Sequence, residues 1–176
     1  MSDLSTIKVA VLSTNGFEDS ELTEPVEAVR SAGATVTVIA PESGTIEGKN
    51  GTEVSVDATT ADVDPADYDA LILPGGTGNS DKIRMDGPAV EFVKQHFAAG
   101  KPVGVICHGG WILTDADVLQ GRTLTSYESI KTDLRNAGAT WVDEEVHVDN
   151  GLVSSRTPDD LPAFNAAIVE AFAADK

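Results

Sequence analysis

Four short runs, residues 7–12, 35–39, 70–73 and 103–106, are almost unbroken in apolar and β-branched side chains (IKVAVL, TVTVI, ALIL and VGVI). A strand wetted on one side alternates polar with apolar residues. A strand covered on both faces does not, so these runs predict a sheet lying between two other layers. Helical spacing fills the gaps between them. Leu22, Val26 and Val29 recur ahead of Gly33, and Val90, Val93 and Phe97 recur between Asp86 and Gly100. Gly33 and Gly100 suit the left-handed residue just past a helix end, and Asp86 with Pro88 suits a helix start. Ile130, Leu134 and Ala137 ahead of Gly138, and then Leu161, Phe164, Ile168 and Phe172, form two more core-packing faces. Strand and helix alternating in this way predict an α/β, doubly wound fold with a mainly parallel sheet, whose ligands gather beyond the carboxyl ends of the strands.

Two segments depart from the alternation. Residues 44–58, with Gly48 and Gly51, read as a loop with a short hairpin, and residues 141–148 pair with 152–154 about the turn Asp149-Asn150-Gly151. A chain of 176 residues with 41% hydrophobic content and no internal repeat is expected to form one domain over residues 1–176. No charged-then-apolar leader opens it and no apolar stretch approaches membrane-spanning length; its single cysteine allows no internal disulfide, so a cytoplasmic location is expected. The 29 acidic residues against 12 basic ones give a net charge of -17. That balance argues against nucleic acid or an anionic membrane as partner, because phosphate binding needs clustered Lys and Arg. The acids are scattered instead of forming a tail, which suggests a solvated surface suited to salt.

The chemistry converges on Cys107, which ends the fourth run and is followed by His108-Gly109-Gly110. A lone cysteine is more often a small buried hydrophobe. A strand end, an adjacent histidine and glycines that let a helix start close behind favour a nucleophile elbow instead. The first run leads into Ser13-Thr14-Asn15-Gly16-Phe17-Glu18 and the third into Pro74-Gly75-Gly76, so all three segments are expected at one sheet edge. Pro74-Gly75-Gly76-Thr77-Gly78 lacks the Lys-Ser/Thr of a phosphate loop and does not match dinucleotide spacing. Gly75 and Gly76 can instead bring backbone N–H groups to an oxyanion beside the His108 amide, with a plain tight turn as the alternative. Glu18, in a partly dry crevice, would stay protonated and donate a hydrogen bond that favours the Cys107 thiolate. His108 can cooperate with Cys107 only through a sharp elbow, because strand neighbours point to opposite faces. His96 and His147 read as surface or structural residues; no two histidines have zinc-ligand spacing, and no metal or cofactor is expected.

These residues make the chain resemble the intracellular protease PfpI family, in the superfamily of the Parkinson-associated deglycase and the class I glutamine amidotransferase-like domains. The resemblance rests on Asn15-Gly16-Phe17-Glu18-Asp19, Leu73-Pro74-Gly75-Gly76, Val105-Ile106-Cys107-His108-Gly109 and Ser154-Ser155-Arg156-Thr157-Pro158-Asp159-Asp160-Leu161. It implies a flavodoxin-like three-layer sandwich with Cys107 as nucleophile, Glu18 hydrogen-bonded to it and His108 as general base. It also implies a homo-oligomer with the site near a subunit interface, where Asp81 of a neighbouring subunit, one methylene shorter than the glutamate of protease-like relatives, contacts the histidine. Trp111 follows the elbow and either shapes the substrate pocket or packs on the sheet. Ser155-Arg156-Thr157-Pro158 offers neither the histidine nor the glutamate that amidotransferases use, which disfavours amide transfer. The function implied is a cysteine-dependent stress-response enzyme acting on a small reactive carbonyl or a glycated protein, as a protein deglycase or glutathione-independent glyoxalase. An intracellular cysteine peptidase and a non-catalytic redox sensor or chaperone-like stress protein are the alternatives.

Overall fold

A seven-stranded sheet runs through the middle of the computed structural model, which describes residues 2–174. In chain order the strands are β1 (Lys8–Leu12), β2 (Thr35–Ala40), β3 (Thr45–Glu47), β4 (Glu53–Ser55), β5 (Ala58–Thr59) and β6 (Ala70–Leu73). They continue with β7 (Val103–Ile106), β8 (Thr123–Leu124), β9 (Thr140–Trp141), β10 (His147–Asp149) and β11 (Leu152–Ser155). The helices are α1 (Asp19–Ser31), α2 (Thr77–Ile83), α3 (Gly87–Ala98), α4 (Trp111–Asp115), α5 (Lys131–Asn136) and α6 (Leu161–Ala173). The large sheet has the order β10-β11-β7-β6-β1-β2-β5, parallel throughout except where β10 runs antiparallel to β11.

Successive side chains on a strand face opposite ways, and here they feed two cores. Val9, Val11, Ala70, Ile72 and Ile106 pack with Leu22, Val26 and Val29 of α1 and Phe164, Ile168 and Phe172 of α6. Ala10, Leu12, Leu71, Leu73, Val103 and Val105 pack on the other face with α3, α4 and α5 through Phe92, Val93, Ile112, Leu113 and Leu134. The result is the mainly parallel three-layer sandwich that the apolar runs predict. Gly104, in the middle of β7, leaves room for α6: a Cβ there would stand 2.6 Å from Ile168 Cγ2 and 3.1 Å from Phe164 Cζ.

Helix boundaries follow the expected caps. Asp86 Oδ2 accepts from the Ala89 amide at 3.0 Å and from Thr60 Oγ1 at 2.6 Å, while Gly33 and Gly100 have φ of 107° and 71°. Residues 45–55 form the expected hairpin, β3 against β4. One segment differs. Residues 141–148 are not one strand: β9 pairs in parallel with β8, and only His147–Asp149 pairs with β11. The exposed acids Asp143, Glu144 and Glu145 lie between, where their charges stay in water. His96 is structural, fully buried with Nε2 3.0 Å from the Pro102 carbonyl oxygen. Among the described residues no helix is long and apolar enough to cross a membrane.

Candidate active site

Strands β7, β6 and β1 are neighbours, so their carboxyl ends deliver Cys107, Pro74-Gly75-Gly76 and residues 13–18 to one place. Cys107 has φ of +61°, a conformation that costs a non-glycine residue about 1–2 kcal/mol. The reversal opens a tight turn, Cys107–Gly110, that leads into α4. Gly109 makes the turn possible, because a Cβ there would stand 2.6 Å from the Leu73 carbonyl oxygen. It also solves the problem of neighbouring side chains, since Cys107 Sγ and His108 Nδ1 come within 3.4 Å.

The backbone amides of His108 and Gly76 both point at Sγ and favour negative charge there. Gly76, at φ of 92°, has no room for a side chain against the Glu18 amide and the Gly16 carbonyl. Asn79 fixes this turn: its Nδ2 donates to the Pro74 and Gly75 carbonyls at 3.2 and 3.0 Å, and its Oδ1 accepts from the Thr14 amide at 2.8 Å.

The carboxyl beside the thiol belongs to Glu21, which corrects the expectation for Glu18. The Glu18 carboxylate turns outward to Lys49, with Nζ–Oε1 of 2.8 Å, because a cation on the β3–β4 hairpin tip stands within its reach. Asp19 holds that tip by accepting from the Asn50 and Thr52 amides at 3.0 and 2.9 Å. Glu21, one helical turn before buried Pro25, is 0% exposed and shares the Cys107–Gly75 neighbourhood. Burial, and next the charge of Glu18, push its carboxyl up to about 8, so at neutral pH it holds its proton.

Burial also pushes the Cys107 thiol up, to about 12, and charge on Glu21 acts in the same direction once that carboxyl has ionised. The resting sulfur is therefore a thiol, not the standing thiolate expected from an acid neighbour. His108 moves the opposite way: burial, then the Lys49 charge, hold its imidazole below the usual range and keep it neutral. A neutral imidazole 3.4 Å from a thiol is arranged to take its proton as the sulfur attacks.

Around His108, the Tyr127 ring stacks at 4.8 Å, Trp111 approaches edge-on at 5.2 Å, and Ser129 Oγ stands 3.2 Å from Nε2. Trp111 packs against the second core, the packing alternative weighed for it, and its Nε1 donates to Asp133 at 2.9 Å. Asp81 is exposed on α2 and, among the described residues, its side chain makes no hydrogen bond or ion pair. Glu21, Lys49, Asn79, Tyr127 and Ser129 escaped the sequence reading. Only Glu21 carried a usable signal, as an acid at i−4 from Pro25 and directly beside Leu22 on an apolar stripe.

A doubly wound sheet that holds a strained cysteine, an adjoining histidine and a buried acid at its carboxyl edge defines an α/β protein with a cysteine nucleophile elbow. The particular family follows from comparison: the chain belongs to the DJ-1/PfpI family, whose model matches residues 7–171. It is 52% identical over 161 residues to General stress protein 18 of Bacillus subtilis, covering 90% of this chain and 93% of that protein. It is 49% identical over 161 residues to Protein/nucleic acid deglycase 2 of Escherichia coli, with the same coverage of 90% and 93%. Among solved structures it matches a two-domain protein with DJ-1/ThiJ/PfpI-like and ferritin-like domains from Anabaena variabilis. The TM-score is 0.90 with 36% identity, over 93% of this chain and 47% of the other, so the chain spans about half of that protein.

Proposed function

We propose that this chain is a cysteine-dependent enzyme of stress response that acts on reactive carbonyls or glycated protein adducts, as a deglycase or glutathione-independent glyoxalase. The single observation that carries the reading is the Cys107 thiol on its strained elbow, with a neutral base 3.4 Å away and two amides aimed at the sulfur. Sγ attacks the aldehyde carbon while His108 Nδ1 takes the thiol proton. The oxygen of the hemithioacetal forms beside the Gly76 and His108 amides, and the protonated Glu21 adds no opposing charge. Protonated His108 neutralises that oxygen; the regained base takes the carbon-bound proton as the neighbouring carbonyl oxygen becomes a hydroxyl, and returns it to the adjacent carbon as the first hydroxyl loses its proton, which leaves a thioester. Water then hydrolyses the thioester and releases a 2-hydroxy acid. Side chains and water supply each step.

A nucleophilic cysteine only 8% exposed suits a small aldehyde better than an extended peptide, which places the peptidase reading second. We assign the work to the cytoplasm and to a homo-oligomer in which Asp81 of a second copy lies beside the Ser129–His108 pair at the rim of the site. The test compares wild type with Cys107→Ser on methylglyoxal, a methylglyoxal-treated peptide and a fluorogenic peptide. Cysteine-dependent loss of the carbonyl supports the reading. Peptide cleavage alone replaces it with a peptidase, and inactivity on all three with peroxide adding mass only at Cys107 replaces it with a redox sensor.

A further inference from the structure

We infer that Ser129 is a positioning residue for His108, accepting the Nε2 proton so that Nδ1 is left bare toward the Cys107 thiol. The inference rests on the reading of His108 as the base for Cys107. A neutral imidazole has one N–H and one bare nitrogen, and the hydrogen bond made by each nitrogen decides which is which. A base facing a thiol needs the bare nitrogen at Nδ1, so the proton must sit on Nε2 and needs an acceptor there. Ser129 Oγ stands 3.2 Å from Nε2, on the opposite side of the ring from Sγ at 3.4 Å. Once Nδ1 takes the thiol proton, Nε2–H goes on donating to the same oxygen, so the ring need not turn during the transfer.

The placement of Ser129 is built into the chain. The Tyr127 amide donates to the carbonyl oxygen of Cys107 at 3.1 Å, and the Tyr127 ring lies on the imidazole. Ser129 sits in the short turn Glu128–Ile130, whose last residue, Ile130, is 0% exposed in the second core. One end of the segment is thus tied to the nucleophile's own backbone and the other to the core, and the hydroxyl is presented between them. Among the described residues, Asp81 makes no such contact.

The test uses the whole protein with 15N-labelled histidine; the chain has three histidines, and His108→Gln assigns the signal of interest by its loss. Two-bond proton–nitrogen spectra near neutral pH are expected to show the Nε2–H tautomer in wild type. Ser129→Ala is expected to populate both tautomers and to slow iodoacetamide alkylation of Cys107 about tenfold, the worth of one neutral hydrogen bond. Ser129→Thr, which keeps the hydroxyl, restores both readouts. Ser129 is exposed, so the melting temperature of each variant stays near wild type. An unchanged Nε2–H signal in Ser129→Ala, or an Nδ1–H tautomer in wild type, overturns the inference. Neither spectrum depends on turnover: a wild type silent on methylglyoxal but holding Nε2–H sinks the proposed function and leaves the role of Ser129 standing.

Discussion

Glu21 keeps its proton to about pH 8 in the folded chain, whereas an ordinary glutamate releases it near 4.5. Between those values the native state binds one more proton than the unfolded state, so stability falls as pH rises, by about 1.4 kcal/mol for each unit over which the difference is a full proton. The contribution is complete below pH 4.5 and is lost as pH rises through 8. Urea midpoints measured from pH 5 to 8.5 should therefore decline in wild type and run flatter in Glu21→Gln. Activity should follow the same titration: once the carboxyl ionises it repels the charge growing on Sγ, and kcat/KM for methylglyoxal is expected to fall above about pH 8. Such a group is costly to bury, which marks a place where stability yields to chemistry. It also explains an error of sequence reading. Acids at a helix start are ordinarily solvated, and Glu18 at the N-cap and Glu21 in the first turn both stand there; only the direction of α1 relative to β7 separates them, and no local pattern records that direction. Cys107 and His108 were legible because the elbow is local, set by an apolar run, one reactive residue and two glycines.

At the scale of elements, α6 and β7 meet where Gly104 leaves a gap. Gly104→Val would force Ile168 and Phe164 away from the sheet, an overpacking worth about 1–3 kcal/mol, visible as a lower urea midpoint with little change in the site at the far end of the strand. Asp86→Ala removes the acceptor shared by the Ala89 amide and Thr60 Oγ1 at the head of α3, and should cost about 1 kcal/mol by the same measurement. The helix start could be read from sequence in part: Asp86 and Pro88 announced it, but the partner Thr60, 26 residues earlier, did not. The four strands came through because burial on both faces writes one signal into every residue. The 141–148 segment misled because alternating residues about a turn look alike whether the ladder is formed or not. There the acids at 143–145 decided against pairing.

For the whole molecule, 29 acids against 12 bases impose repulsion that compactness makes worse and counterions relieve. The melting temperature is expected to rise between low and molar salt; at this chain length each kcal/mol of relief is worth roughly 2–4 °C. A flat profile would remove the salt-suited reading of the surface. The sheet has a further property at this scale. Its borders are the two-residue β5 and the three-residue β10, each too short to serve as a template for a foreign backbone. A stress-response protein works among partly unfolded neighbours whose loose segments seek an open ladder. With both borders cut short and like charges spread over the exterior, this fold can accumulate in such company without being recruited into fibres.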